Sequence, residues 1–220
     1  MSDGTPGGGS MTVVSLHVGM PRAEARGSGP LFTGGAKSSV QTAMLRFDGF
    51  EGDGVADRRH HGGRDRTACV YPAAHYAWWK SSHGFDLGYG AFSENVTVEG
   101  LREQEIFIGD IVRIGAALAQ VTLPRDPCGT LDRILQIPSF SRLARESGKC
   151  GCHMRTREEG LVEVGDLFQV VERDPAGITV AAALDLYHGR STDRSLCEKL
   201  FAVPGFAEEG RREIARRLGL

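Results

Sequence analysis

Hydrophobic and polar positions alternate along several short runs of the chain, as they do in strands that bury one face. "MTVVSLHVG", "VQTAMLRF", "ENVTVEG" and "ALAQVTL" each hold such a run and are rich in β-branched residues. "IFIGDIVRIG" and "LVEVGDLFQVVE" each place a Gly-Asp turn between two apolar segments. Together with "GITVAAA", these runs predict an antiparallel β-barrel in a fold that is mainly β with some α structure (α+β).

Helical spacing interrupts the alternation in a few places, where we expect peripheral helices. After the run that begins "TACVY", Pro72 is suited to open a helix that carries Tyr76 and Trp79. "TLDRILQ" and "PSFSRLARESG" predict two short helices. The second has Ser139 as a candidate N-cap and Gly148 as a candidate C-cap.

The pattern changes to helical spacing throughout the C-terminal region. Leu196 and Leu200 fall on one helical face, and Ile214 and Leu218 fall on another, with a Pro-Gly pair between the two segments. This spacing predicts a small bundle of two or three helices. A segment of fewer than about 40 residues seldom folds alone, so the bundle should pack on the main body.

The predicted organisation therefore has three parts. Residues 1–10, "MSDGTPGGGS", lack the apolar core of a secretion signal and predict a disordered leader or cloning remnant. Residues 11–182 are predicted to form the β-barrel domain, and residues 183–220 the helical domain. Within the first domain, residues 48–66 show no period and are predicted to be a long functional loop.

Charge and cysteine usage narrow the classes of function. The formal net charge is -2, so nothing in the charge balance suggests nucleic acid or an anionic membrane as a partner. No apolar run approaches the roughly 18 residues that a membrane span needs. The five cysteines are odd in number and irregularly spaced, which is untypical of a secreted disulfide framework. These features predict a cytoplasmic protein. For its assembly we expect a monomer or a homodimer.

The segment "PRDPCG" directly after the run "ALAQVTL" is the first candidate for chemistry. Pro124 and Pro127 fix the backbone on both sides, and Gly129 lets another group approach closely. A Cys128 thiolate would be a good ligand for a soft metal, and Arg125 could lower its pKa. The alternative is a half-buried structural cysteine beside a turn.

The segment "RRHHGGRDR" is the second candidate. Glycines such as Gly62 and Gly63 expose backbone N–H groups, and arginines such as Arg59 clamp phosphate, so an anionic ligand is plausible. His61 and its neighbouring histidine have no familiar zinc spacing. The alternative is a solvated loop whose arginines pair with nearby aspartates.

Two other clusters offer groups that bind phosphate or metals. Lys37 and Ser38, in "KSS", suit a phosphate but lack the Gly-rich start of a P-loop, and an exposed lysine is the alternative. Cys150, Cys152 and His153, in "KCGCH", could bind zinc or copper, or could be plain strand residues. The fingerprints of serine hydrolases, P-loop enzymes and Rossmann dehydrogenases are missing from the sequence.

Taken together, four segments resemble the MOSC family, which is named for the C-terminal domain of molybdenum cofactor sulfurase. They are "GDGVADRRHHGGRDRTACVYPAAHYAWW", "GAFSENVTVEGL", "IGDIVRIGAALAQVTLPRDPC" and "LFAVPGFAEEGRREIARRL". They occur in the order of the family, and the resemblance covers roughly residues 12–220. The tail is similar to the three-helix domain that follows MOSC in the YiiM-type branch.

The resemblance implies a β-barrel that holds the molybdenum cofactor, a molybdopterin, with Cys128 as the catalytic residue and the thiolate ligand of molybdenum. It further implies reduction of N-hydroxylated small molecules, in particular N-hydroxylated purine bases such as 6-hydroxylaminopurine. A separate flavin reductase would supply the electrons. The residues that it suggests for cofactor binding are Lys37, Ser38, Arg59, His61, Gly62, Gly63, Asn95 and Arg125.

The chain departs from the family pattern at three places. One is "CGCH", which replaces a more aromatic segment and predicts a second thiol near the site. Gly129 stands where a bulky residue is common, which predicts a wider pocket beside the metal, and "FSEN" replaces the usual Phe-Gly-Glu-Asn. Two other functions stay open. One is a non-catalytic carrier of molybdenum cofactor, or of persulfide sulfur on Cys128. The other is a pyridoxal-phosphate or anion-binding protein with Lys37 as the Schiff-base former.

Overall fold

The computed structural model describes residues 10–26 and 29–220. The predicted leader, apart from its last residue, Ser10, therefore lies outside the described residues. The described chain is a mixed fold of β-sheets and helices. No helix of the described residues has the length and apolarity to cross a membrane.

The strands are short and are distributed over the N-terminal three-quarters of the described chain. They are β1 Thr12–Val18, β2 Arg22–Arg26, β3 Gly29–Thr33, β4 Ser38–Val40, β5 Thr42–Arg46, β6 Gly49–Phe50, β7 Ala68–Pro72, β8 Val96–Glu99, β9 Ile111–Ile114, β10 Ala117–Pro124, β11 Cys152–Glu158, β12 Gly160–Glu163 and β13 Phe168–Glu172. Most of the alternating runs form strands as predicted. The exceptions are "GITVAAA" and the first apolar segment of "IFIGDIVRIG", which makes only an isolated bridge at Phe107.

The helices lie between the strands and at the C-terminal end. They are α1 Arg58–His61, α2 Ala74–His83, α3 Gly129–Leu135, α4 Phe140–Ser147, α5 Val180–Tyr187, α6 Arg194–Ala202 and α7 Glu208–Leu218, with a 3-10 turn at Arg64–Arg66. Tyr76 and Trp79 lie in α2 as predicted, and both are buried. Pro72 does not open this helix, because it is the last residue of β7 and Ala73 is the N-cap.

The largest sheet has eight strands in the order β13-β9-β10-β11-β7-β8-β1-β4. Neighbouring strands in it are antiparallel except for β7 and β8, which are parallel. Strands β12, β5 and β6 form a second sheet, and β2 and β3 form a separate hairpin. This topology brings the C-terminal ends of β10 and β3 and the N-terminal end of β7 into reach of one cavity, described below.

The large sheet is not a closed barrel, which corrects this part of the prediction. Among the described residues, its end strands β13 and β4 are not paired with each other. Residues 16–18 of β1 pair with β4, so the start of β1 is left to meet the turn before β13. It does so through the isolated bridge between Thr12 and Leu167 and through a hydrogen bond from Val13 N to Asp166 O of 2.9 Å. The sheet is curled, and these few contacts join its two ends.

Three longer segments differ from their predicted states. "GITVAAA" is wrong as a strand, because it begins α5: the Thr179 side chain caps this helix by accepting from Ala182 N at 3.0 Å, and the alanines that follow favour a helix. The predicted loop 48–66 contains β6, α1 and a 3-10 turn. The stretch "RGSGPLFTGGAKSSV", whose glycines and serines predict a loop, contains β3 and β4, which pair with β2 and β1.

The two Gly-Asp turns are confirmed and share one construction. Gly109 and Gly165 have φ values of 96° and 100°, which only glycine adopts readily. In both turns the following aspartate accepts a backbone N–H three residues before it, at 2.9 Å for Asp110 and 2.8 Å for Asp166. The repeated sequence pattern therefore encodes a repeated turn.

The caps of α4 are partly as predicted. Gly148 ends the helix with a φ of 72°, as expected of a C-cap glycine. Ser139 occupies the N-cap position, but its φ is 61° and its side chain makes no capping bond. Asp132 of the preceding helix performs that function, since its Oδ1 accepts from Ser141 N at 2.5 Å. A cap from another helix is not visible in the local sequence.

The C-terminal helices pack on the large sheet. Leu200 of α6 and Ile214 of α7 are buried in the same apolar cluster as the sheet residues. Glu209 of α7 forms a two-bonded ion pair with Arg66, with N–O distances of 2.7 and 3.1 Å. The division into residues 11–182 and 183–220 stays a prediction.

Candidate functional site

A cavity of about 240 Å³ opens where the loop after β3, the loop before α1, and the end of β10 meet. The N-terminal end of α3 and the cross-strand neighbours in β7 and β11 complete its walls. Five of the nine residues that the resemblance assigns to catalysis and cofactor binding line this cavity: Lys37, His61, Asn95, Arg125 and Cys128. Residues that lie up to 91 positions apart in the chain are thus brought to one site.

Four other predicted residues do not line this cavity: Ser38, Arg59, Gly62 and Gly63. Ser38 begins β4 and is paired with β1. The side chain of Arg59 is exposed, and its backbone N donates to Asp57 Oδ1 at 3.1 Å. Their roles in cofactor binding stay predictions.

Cys128 sits between the last residue of β10, Pro124, and the first residue of α3, Gly129. Its backbone is extended, with a φ of -119°, and its carbonyl accepts from Leu131 N at 2.9 Å in the first turn of α3. The side chain is half-buried, and Sγ lies 3.8 Å from His61 Nε2. The fold therefore holds this cysteine at the cavity against a histidine from α1.

The pairing changes the protonation of both groups. The hydrogen bond with His61, helped by the backbone and side chain of Thr130, lowers the pKa of Cys128 to about 6 despite its partial burial. The same hydrogen bond raises the pKa of His61, although partial burial opposes this change. Both shifts favour a thiolate beside an imidazolium at neutral pH.

The other cysteines are chemically different. Cys69, Cys150, Cys152 and Cys197 are buried, and burial raises the pKa of each thiol, to about 12 for Cys150. Cys128 is the one cysteine of the described chain that is not buried. Buried, protonated thiols are inert toward alkylating reagents.

We therefore expect iodoacetamide to modify the folded protein at Cys128 alone. At pH 7 one equivalent should react rapidly, and the remaining four thiols should react after unfolding in guanidinium chloride. Intact-mass and peptide mass spectrometry measure the number and position of the modified cysteines. Rapid modification of a second cysteine in the native state would contradict this assignment of reactivity.

Arg125 brings a buried positive charge to the cavity. It is 8% exposed, its Nη2 donates to Phe92 O at 2.6 Å, and its backbone N donates to Gly151 O at 3.1 Å. Its Nη1 has no hydrogen-bond partner among the described residues. A buried guanidinium with a spare donor is suited to hold an anionic group.

Two further residues of the cavity lie on neighbouring strands; Cys69 was not selected from the sequence, and His153 was considered only as part of a metal site. Cys69 of β7 and His153 of β11 are cross-strand partners, and both line the cavity. Burial holds the pKa of His153 well below its usual range, so its ring is neutral, and Nδ1 is unpartnered within the described residues. The cross-strand register that joins them is not visible in either local sequence.

The "KCGCH" segment does not form a metal site in the described part of the chain, where no group of three or more His, Cys, Asp or Glu side chains is arranged to hold a metal ion. Cys150 instead donates from Sγ to Ala144 O at 3.3 Å. Cys152 is 1% exposed in the apolar core. Both cysteines are therefore buried residues of the protein interior, and Cys152 is the first residue of β11.

Lys37 belongs to a buried polar network. Its Nζ pairs with Asp53 Oδ1, and this aspartate also accepts from Gly19 N at 2.8 Å and from Asn95 Nδ2 at 2.9 Å. Asn95 in turn accepts from Cys69 N at 3.0 Å.

An ion-paired ammonium has no free electron pair, which disfavours Lys37 as a Schiff-base former. Asp53 is the central residue of this network and was not selected from the sequence as a site residue.

The mouth of the cavity is apolar on one side. Phe32 of β3 is 63% exposed there, and Leu131 and Ile134 of α3 lie on the same lining. Arg133 ties α3 to the hairpin by donating to Pro30 O at 3.1 Å. Gly129 borders open space, since nothing lies within 4 Å of the position that a Cβ would take.

Comparison with known proteins gives consistent matches. A family model described as "MOSC domain" matches residues 57–169. The Bacillus subtilis (strain 168) protein YflK is 32% identical over 94% of this chain and 94% of its own length. Protein YiiM of Escherichia coli (strain K12) is 32% identical over 79% of each chain. The crystal structure of YiiM from Geobacillus stearothermophilus superposes with a TM-score of 0.79 at 28% identity, covering 94% of this chain and 99% of that one.

A more distant match carries the name of an activity. A protein of Gibberella moniliformis (strain M3125 / FGSC 7600) named "Reductase" is 29% identical over 66% of this chain. The match covers 26% of that longer protein. It is consistent with an enzyme and with an oxidoreductase.

Proposed function

This chain belongs to the MOSC domain family, in its YiiM-type branch, and from that premise we propose that it is a molybdenum-cofactor-dependent reductase of N-hydroxylated compounds. N-hydroxylated purine bases such as 6-hydroxylaminopurine are the proposed substrates, and a separate flavin reductase is the proposed electron donor. The observation that carries the proposal is the Cys128 thiolate, held against His61 in a cavity that also contains a buried guanidinium.

The residues present fit the molybdenum cofactor. A thiolate is a ligand that a soft metal prefers, and the pKa of about 6 keeps Cys128 in that form at neutral pH. The cofactor also carries an anionic phosphate, and Arg125 Nη1 is a buried donor without a partner in the described residues. Cys128 would hold the metal, and Arg125 would hold an anionic group. The charge of Lys37 is balanced by Asp53, so Arg125 is the better candidate of the two for binding the phosphate.

When bound, the cofactor would supply the two electrons for the overall reaction R–NHOH + 2e⁻ + 2H⁺ → R–NH₂ + H₂O. His61 holds a proton on Nε2 beside the thiolate, so it is placed to donate one proton at the site. Phe32 offers an exposed aromatic face at the mouth of the cavity, and a planar base can stack on such a surface. The apolar mouth and the unpartnered Nη1 of Arg125 thus suit a flat heteroaromatic molecule with a polar substituent.

The test is cofactor content and turnover of protein from a host that makes molybdopterin. Molybdenum and pterin are measured per chain, and 6-hydroxylaminopurine reduction is followed with reduced methyl viologen, so that no partner protein is required. The matched control is the same protein from a host that cannot make molybdopterin. We expect about one molybdenum per chain and adenine formation in the first preparation alone.

Two other results would lead to different conclusions. Stoichiometric molybdenum without turnover of any N-hydroxylated compound would favour the non-catalytic carrier. Turnover by the preparation that lacks molybdopterin, or an absence of molybdenum from both, would contradict the proposed function.

A further inference from the structure

The turn after helix α5, at residues 188–190, reaches from the C-terminal helices to the segment that carries Cys128. His188 is the C-cap of α5, and its side chain is 4% exposed. Its Nε2 lies 3.0 Å from Asp126 Oδ1. Asp126 follows Arg125 in the chain, precedes Cys128 by two residues, and also lines the cavity.

The hydrogen bonds around His188 define its role as a donor to Asp126. Arg190 Nη1 lies 3.2 Å from His188 Nδ1, and a guanidinium has only donors, so Nδ1 must accept. The proton of the neutral ring is then on Nε2, where it is donated to Asp126. Arg190 is itself fixed by Asp185, whose Oδ1 accepts from Arg190 Nε at 2.7 Å.

A second side chain holds the same segment. Arg145 of α4 donates from Nη1 to Pro127 O at 3.1 Å, and the same Nη1 lies 3.6 Å from Asp126 Oδ1. Arg145 O in turn accepts from Arg190 Nη1 at 2.5 Å. The turn after α5 therefore supports this segment both directly and through α4.

We propose that His188 is a positioning residue that directs the Asp126 carboxylate toward the C-terminal helices and away from the Arg125 guanidinium in the cavity. Without this donor, the carboxylate could turn toward Arg125 Nη1, which has no partner in the described chain, or toward His61. It would then neutralise the charge on which binding of an anion depends. The C-terminal helices would thus take part in the site rather than only cover the sheet.

This proposal concerns the cavity of the proposed function but is tested without cofactor. Cys128 of the cofactor-free protein is alkylated with neutral iodoacetamide and with anionic iodoacetate at low ionic strength. The ratio of the iodoacetate rate to the iodoacetamide rate reports the local charge, because general changes in access or in thiolate fraction affect both reagents. His188→Ala should lower this ratio by about three- to tenfold, since the existing negative charge of Asp126 would then lie nearer the thiolate.

Two isosteric variants separate positioning from a general structural role. His188→Gln can place an amide N–H near the position of Nε2 and should restore the ratio to within about twofold of the wild type. His188→Asn reaches only the position of Nδ1 and should not. Adding Asp126→Asn to His188→Ala removes the carboxylate charge and should also restore the ratio.

An unchanged ratio in folded His188→Ala, equal ratios for the Gln and Asn variants, or no restoration in the double variant would overturn the proposal. If His188→Ala does not fold by circular dichroism, the comparison between the Gln and Asn variants decides the question. Because no cofactor is present, a negative result here leaves the proposed reductase activity intact. A failure to bind molybdenum would likewise leave this charge measurement valid.

Discussion

Cys128→Ala should lower the molybdenum content of protein from a cofactor-competent host by about 10-fold or more and reduce N-hydroxyl reduction to the background rate. The reason is that the substitution removes the soft, charged donor from the cavity, while an exposed or half-buried thiol contributes about 1 kcal/mol or less to stability. Molybdenum per chain, measured by inductively coupled plasma mass spectrometry, and the rate of adenine formation from 6-hydroxylaminopurine are the readouts.

Two controls show whether the loss is specific to this thiolate. Cys128→Ser keeps the size of the side chain but replaces the thiolate with a neutral hydroxyl, so it should lose metal nearly as completely as the alanine variant. Cys197→Ala removes a buried thiol of α6 outside the cavity and should keep both metal and activity. Wild-type metal content and turnover in correctly folded Cys128→Ala would exclude Cys128 as the ligand.

The sequence predicted most of the strands, because apolar and polar residues alternate in a strand that buries one of its two faces. The failures have physical reasons. "GITVAAA" is apolar enough for a strand, but Thr179 caps a helix there and the alanines continue it. The open ends of the large sheet could not be predicted, because closure depends on which half of β1 pairs with β4.

The candidate site was predicted where the chemistry lies in one short segment, and was missed where tertiary contacts create it. Cys128 and Arg125 are visible in "PRDPCG", and the resemblance to a family gave Cys128 its proposed function. Asp53 and His188 act through partners at least 16 positions away in the chain, Lys37 and Asp126. No local pattern marks such residues, since their partners are chosen by the fold.

His61→Ala should move the midpoint of the pH dependence of Cys128 alkylation upward by at least about one pH unit. The pKa of Cys128 is about 6, and its hydrogen bond with His61 is the largest cause of the decrease from the ordinary value of 9.0. If the pKa of Cys128 rose from about 6 to the full 9.0, the thiolate fraction at pH 6 would fall from about one-half to about one-thousandth. The wild-type rate should therefore rise between pH 5 and 7, and the rate of the variant should rise at higher pH.

The midpoint is the better measure, because the rate at one pH combines two opposing effects. A thiolate of higher pKa is intrinsically more nucleophilic, so the loss of thiolate at neutral pH is partly compensated in the rate.

His61→Gln keeps a hydrogen-bond donor without a charge, and its midpoint should lie between those of the wild type and His61→Ala. His83→Ala, which removes an exposed histidine at the end of α2, should leave the midpoint unchanged. An unchanged midpoint in His61→Ala would mean that the α3 N-terminus and Thr130, rather than His61, hold Cys128 as a thiolate. In that case His61 would no longer be the proton donor beside the proposed metal ligand.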